Sequence, residues 1–249
     1  MALNETRVQS VEFDLFLLDE ILNHSKNLIK EGRIQNFYRQ IIHIQLEQEE
    51  IALTDVINWF EEASEMLPGR EKHDFLVLFL NILFRRIREG EKSLIRLILE
   101  VYKIGLRKKI LIVNEKLSHQ TFINIAVAAI GCNEFKWAEN FIETYRGIIK
   151  EYPEDSIYLA YGYLYFNREM HSEKRKVFNA AMDSLAKVVS SKSFFQYRAR
   201  SLQLRIFYEL SRQDDEWVEQ VMYFAKAFRK HIRRKSQLNQ RKAISFPNR

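Results

Sequence analysis

Turn formers are scarce in this chain: its 249 residues include only 7 glycines and 3 prolines. A β-sandwich or barrel needs many short reversals, so an all-β fold is excluded and long helices with brief connections remain. A single cysteine allows no internal disulfide, which points to a reducing, cytoplasmic setting. No stretch reaches the roughly 18 apolar residues that a membrane span needs. The nearest approach, 75–84, is interrupted by Asn81 and followed by Arg85 and Arg86, so it reads as a buried helix. The opening MALNETRVQS has neither the basic nor the apolar region of a signal peptide, and none is expected.

Signatures of chemistry are missing too. The chain has no GxGxxG, no GxxxxGK[ST] and no GxSxG. Its histidines are His24, His43, His73, His119, His171 and His231, and none has a second histidine or a cysteine three or four residues away. A helix-borne metal site is therefore not indicated. Cys132 has His119 as its nearest histidine in sequence, one helix away, and reads as a small hydrophobe rather than a nucleophile. The carboxylate groups Glu47, Glu49 and Glu50, and Glu61, Glu62 and Glu65, read as solvated helix faces. The sequence thus predicts neither an enzyme nor a cofactor.

Charge is unevenly placed. From Gln220 onward there are nine basic residues and no acidic one. Removing those nine from the 39 Lys+Arg leaves 30 against 33 Asp+Glu, so the preceding part carries −3 and the net +6 belongs to the C-terminal end.

What the chain does contain is helical periodicity. Over 118–153, Phe122, Ile125, Ala126 and Ala129 fall three and four apart. After Gly131, Cys132 and Asn133, the series Phe135, Ala138, Phe141, Ile142, Tyr145, Ile149 and Tyr152 repeats the spacing. Gly131 suits the left-handed residue that ends the first helix, and Pro153 stops the second. Further helices are expected at 11–29, 34–49, from an N-cap at Thr54 to Pro68, at 73–88 and at 93–106. Two more helix pairs follow, 156–167 with 173–189 and 194–210 with 216–234. The run 109–113 resembles a strand without a partner, so an extended connection pinned to the helices is expected. Hairpins of amphipathic helices repeating every 30 to 40 residues predict an all-α fold of stacked pairs, an α-solenoid, because no pair can cover its apolar face alone. One domain over 1–235 is expected, with irregular helices over 1–110, hairpins at 118–153, 156–189 and 194–235, and a basic, partly disordered tail over 236–249.

The segment 118–153 resembles the tetratricopeptide (TPR) repeat, which places an aromatic, then Leu-Gly/Ala, then an aromatic on its first helix and a small residue early in the second. Phe122, Ile125, Ala126 and Ala138 occupy the matching positions, with Ala129 in place of the second aromatic. In the next pair Gly162, Tyr165, Phe178 and Ala181 fit; Lys174 falls in the small-residue slot unless a longer turn brings Ala181 there. In the last pair Trp217 takes that slot, which predicts wider helix separation. The phrases FKWAENFIETY at 135–145, ARSL at 199–202, YEL at 208–210 and FRKHIRR at 228–234 are similar to recurring ones in bacterial TPR-like helical-repeat proteins. The resemblance implies a TPR-like α-α superhelix and no activity.

Two stretches could bind a partner. If Gly162 is matched correctly, the resemblance implies that Leu159, Tyr163, Phe166 and Asn167 face the concave groove of the array. Tyrosine offers broad apolar contact with a polar tip, which suits a protein or peptide partner, although rings at helical spacing equally serve as packing. The last helix carries an inner stripe of Trp217, Val221, Phe224, Phe228 and Ile232. Its other surface carries Lys226, Arg229, Lys230, Arg233 and Arg234, a pattern that could neutralise phosphates of nucleic acid or an anionic membrane surface. No aromatic is interleaved to stack bases. A non-enzymatic protein- or peptide-binding scaffold is the first expectation and anion binding through this helix the second.

Overall fold

The computed structural model describes residues 53–67, 69–172 and 176–244. The helices expected at 11–29 and 34–49 lie outside them. The described residues are mostly helical, with nine α-helices and one two-stranded hairpin, and they fall into two compact units that divide between Ile110 and Leu111.

The first unit contains α1 (Leu53–Met66), α2 (Gly69–Glu89), a 3-10 turn at Lys92–Leu94 and α3 (Ile95–Arg107). Helices α1 and α2 both pack on α3. Phe60 of α1 stacks on Phe75 and Phe79 of α2, each at 5.8 Å between ring centroids. All three rings are buried. Gly90 ends α2 in a conformation that favours glycine (φ 123), with the Glu91 amide returning to the Arg86 carbonyl at 3.1 Å. The buried Arg86 guanidinium meets the Glu91 carboxylate with two hydrogen bonds of 2.7 Å, which gives a charged group inside the unit its partner. Two of the expected solvated carboxylates form surface ion pairs, Glu61 with Arg107 and Glu65 with Lys108. The Lys108 ammonium holds the Glu65 carboxyl below its ordinary range.

The run 109–113 is not an isolated extended connection. Its first residues close α3: Lys109 is left-handed (φ 55), its amide reaches the Leu106 carbonyl at 3.0 Å, and the Ile110 amide reaches the Gly105 carbonyl at 2.8 Å. This is a Schellman closure with lysine where glycine is usual. The second unit then opens with β1 (Ile112–Val113) paired antiparallel to β2 (Lys116–Leu117). Asn114 and Glu115 between them are both left-handed, at φ 51 and 61, as the tightest hairpin turns require. The buried Leu117 also bridges Ile149.

The second unit continues with α4 (His119–Gly131), α5 (Phe135–Tyr145), α6 (Pro153–Met170), α7 (Asn179–Ala186), α8 (Ser193–Ser211) and α9 (Val218–Ile244). Ser118 caps α4 by accepting the Thr121 amide at 3.1 Å. The left-handed residue after α4 is Asn133 (φ 61), two positions beyond the expected Gly131, which stays helical. Glycine scarcity thus does not prevent closure, because asparagine tolerates this conformation. Helix α5 ends at Tyr145, not near Pro153, which instead starts α6 at its first turn, where a missing amide costs nothing.

Helix α4 packs on α5 and α6; α5 packs on α6; α6 packs on α7 and α8; α7 touches α8; and α8 packs on α9. Helix α7 is far shorter than the expected 173–189. Two carboxylates of α6 account for its position. The Glu169 carboxylate accepts the Val177 and Phe178 amides at 2.5 and 2.8 Å before α7 begins. The buried Asp155 carboxylate accepts the Val189 and Ser190 amides, both at 2.8 Å, after it ends. Phe178 is left-handed (φ 54), a costly state for a large side chain, and is held there by stacking on Phe166 at 5.2 Å. Helix α9 runs on to Ile244, past Lys235 where the apolar pattern weakens and a tail was expected.

At Gly162 of α6 an added methyl carbon would lie 2.9 Å from Leu185 Cδ2 of α7 and 3.7 Å from Leu202 Cδ2 of α8. Gly162→Leu is expected to destabilise the second unit by roughly 1–3 kcal/mol through overpacking. Adding Leu185→Ala should recover part of that loss, so the double variant in urea unfolding is expected to be more stable than the sum of the two singles.

Candidate interaction surface

The tyrosine-rich helix expected to line a groove is α6, and its rings divide between two sides. Tyr161 and Tyr165 stack at 5.4 Å and face α5. The Tyr161 hydroxyl donates to Glu143, which also accepts from Arg146 at 2.9 Å. Burial and this carboxylate hold the Tyr161 phenol in its neutral form, far above the ordinary range. Nearby, Arg168 donates to both carboxylate oxygens of Glu139, at 3.1 and 2.6 Å. That side of α6 is a helix–helix contact. Tyr158 lies under the Lys187 ammonium, 5.2 Å from its ring centroid.

Of the four expected groove residues, Leu159 and Phe166 are buried and present nothing to a partner. Both belong to the packing between helices, the competing role for apolar residues at this spacing. Tyr163 and Asn167 are half-buried on the side of α6 that faces α8. The Asn167 amide nitrogen donates to the Tyr163 carbonyl at 2.8 Å. Burial raises the Tyr163 phenol above its ordinary value, while the positive charges of Arg198 and Arg205 pull it down.

Those arginines, with Asn124, complete the surface. Arg198 of α8 donates to the Asn124 side-chain oxygen of α4 at 2.7 Å, across 74 residues of sequence. Its guanidinium lies over the Phe194 ring at 4.7 Å, and that of Arg205 lies over the Phe166 ring at 4.8 Å. One face therefore carries Asn124 from α4, Tyr163 and Asn167 from α6, and Arg198 and Arg205 from α8. Sequence reading did not single out Asn124 or either arginine. The local signal is the spacing of Phe194, Arg198, Ser201, Arg205 and Tyr208 along one side of α8, but only the fold brings Asn124 to it.

The alternative basic stripe is exposed at Lys226, Arg229, Lys230 and Arg233; the Arg234 side chain lies outside the described residues. Among the described residues no carboxylate pairs with any of the four. Trp217, expected in the inner stripe of the last helix, instead ends a 3-10 turn (Asp215–Trp217) before α9 and stacks on Phe207 at 6.0 Å. The stripe of α9 itself is only partly covered: Phe224 meets the Phe207 ring edge-on at 5.2 Å and Phe228 meets Tyr197 at 6.4 Å. Ile232 remains 42% exposed. Cys132 is half-buried in the turn between α4 and α5. Among the described residues no three His, Cys, Asp or Glu side chains gather as metal ligands, and no helix is long and apolar enough to cross a membrane.

His119, where α4 begins, sits among Tyr152, Phe194 and Phe195 at 5.4, 5.6 and 5.5 Å. Burial lowers its pKa from the ordinary 6.5, against a weaker upward pull from Glu151. The folded chain therefore takes up this proton at lower pH than the unfolded chain. Its contribution to stability is present at neutral pH and lost as pH falls below about 6.5. Urea midpoints measured from pH 7.5 to 5.5 are expected to fall, and His119→Gln should flatten that fall. Glu139 and Glu143 have pKa values lowered from 4.5, so the stability they contribute is fully present from pH 7.5 to 5.5 and is lost only in more acidic solution.

Comparison of the chain with protein-family models, curated proteins and solved structures finds no match.

Proposed function

We propose that the chain is a non-enzymatic scaffold of TPR-like stacked hairpins that holds a protein or peptide partner on the face containing Tyr163 and Asn167. The observation that carries this reading is the order of packing in the second unit. Helices α4, α6 and α8 each touch the helix that follows them, α4 touches α6, α6 touches α8, and α5 and α7 touch α6 and α8 respectively. That row of neighbours is what a solenoid of helical pairs produces, and it gives the first helices a shared face. Gly162 and the buried Ala181 are consistent with close packing between α6 and α7, and Arg198 joins the outer two first helices through Asn124. Half-buried aromatic and amide groups on such a face suit recognition of a polypeptide. Tyr163→Ala is expected to keep the far-UV circular dichroism of the parent and to lose a partner that the parent recovers from native lysate. An unchanged set of recovered proteins would remove the site.

A second reading is favoured by one observation of its own: four exposed cations on α9 that pair with no carboxylate among the described residues. Binding of nucleic acid or an anionic surface there would rest on charge and weaken steeply with salt. Gel shift with mixed RNA and DNA at low and moderate salt tests it. A retarded band at low salt that disappears in Lys226→Glu/Lys230→Glu supports it, and no band at low salt eliminates it.

A further inference from the structure

Exposed large apolar side chains concentrate on one element. Trp217, Val218, Met222, Tyr223 and Ile232 all belong to α9 or to the 3-10 turn that leads into it, with Met222 54% and Tyr223 72% exposed. Apolar residues exposed singly are ordinary, whereas several on one element mark a surface that something covers. Helix α9 packs on α8 through Phe224 and Phe228, and Val218, Met222 and Tyr223 take no part in that contact.

The exposed cations of α9 stand among these residues. A helix turns about 100° per residue, so Val218, Met222 and Ile232 come within about 80° of one another round α9. Lys226, Arg229, Lys230 and Arg233 occupy an arc of about 100° that overlaps one edge of this stripe, and Tyr223 stands just past the other side of the cations. The four cations pair with no carboxylate among the described residues, and no acidic residue follows Gln220 in the chain. The nearby acids Asp214, Asp215, Glu216 and Glu219 all precede the cations, and Glu219 lies in the first turn of α9, where it suits the positive end of the helix.

Resting on the anion-binding reading of α9, we infer that its partner is an anionic lipid surface, on which the helix lies with its cations at the lipid phosphates and Met222, Tyr223 and Ile232 at the boundary between headgroups and acyl chains. Nucleic acid and lipid phosphates both attract the cations. Val218, Met222 and Ile232 gain nothing from a phosphate backbone, whereas at that boundary they leave water. Tyrosine and tryptophan, apolar in the ring and polar at the tip, suit the same level of a bilayer. A second copy of the chain is disfavoured, because it brings the same excess of cations. No helix of the described residues is long and apolar enough to cross a membrane, so the contact is peripheral.

Co-sedimentation of the full chain with phosphatidylcholine vesicles, with and without phosphatidylserine, tests this. The chain should bind the mixed vesicles, and phosphatidylcholine alone about tenfold more weakly. Lys226→Glu/Lys230→Glu should weaken binding to the mixed vesicles by about tenfold or more. Met222→Ser/Tyr223→Ser should weaken it about fivefold, while Tyr223→Leu, which keeps an apolar group and loses the ring, should hold it within about twofold. Lys136→Glu on the exposed side of α5 should leave it unchanged. Circular dichroism melts establish that each variant is folded.

Four outcomes overturn the inference: equal binding to both kinds of vesicle, no binding of the folded chain to either, full vesicle binding by Lys226→Glu/Lys230→Glu, or full vesicle binding by Met222→Ser/Tyr223→Ser. An oligonucleotide band lost in Lys226→Glu/Lys230→Glu, without vesicle binding, removes the lipid and leaves the anion-binding reading of α9 standing. Absence of both the band and vesicle binding removes both. A dimer of the free chain that Met222→Ser/Tyr223→Ser breaks, without vesicle binding, gives the apolar stripe to a second copy instead.

Discussion

Helix α6 packs against α4, α5, α7 and α8, and at Gly162 there is no unoccupied space for even one methyl carbon against Leu185. An added atom there must displace the end of the Leu185 side chain, and an interior near crystal density passes such a shift on to its neighbours. The positions of Tyr163 and Asn167 relative to Arg198 and Arg205 therefore depend on how closely α6 can lie to α7 and α8. The surface groups are polar and half-exposed, but what sets their spacing is an apolar contact beneath them, among Gly162, Leu185 and Leu202.

Beyond that contact the second unit relies on specific polar links. Arg168 with Glu139, and Tyr161 with Glu143, fasten α6 to α5. Exposed pairs of this kind contribute little energy each in water, yet they fix which way the helices face. On the opposite side α6 is tied to the chain around α7 by charge-assisted bonds from Asp155 and Glu169 to backbone amides, with Asp155 buried. The tyrosine-rich stretch is thus a helix in demand on several sides, and only part of its surface is left for anything else.

Helix content and most element boundaries could be read from periodicity, because an apolar stripe at 3.6 residues is a local property of the sequence. The failures occurred where a local pattern was completed by something distant or by an unusual residue. Lys109, Asn114, Glu115, Asn133 and Phe178 all adopt left-handed backbone without being glycine, so rules that look for glycine miss the closures they make. The hairpin at 112–117 turns on Asn114 and Glu115 with no Asn-Gly or Asp-Gly signal, so the local pattern alone gives an unpaired run. Helix α7 came out short because its flanking amides bond to carboxylates 8 to 35 residues away. The candidate surface was half legible: Tyr163 and Asn167 stood out on α6, whereas Leu159 and Phe166 share their period and are buried. Asn124 and Arg198 could not be paired in advance, since nothing in either local pattern refers to the other.

The two carboxylates that bracket α7 have a consequence for motion. An eight-residue helix is too short to persist alone in water, so it exists only while docked. Four amide bonds to one neighbouring helix, two at each end, must open together before it can leave. Amide deuteration across 177–190 should therefore proceed as a single concerted event with the loosening of α6, not as gradual fraying from either end.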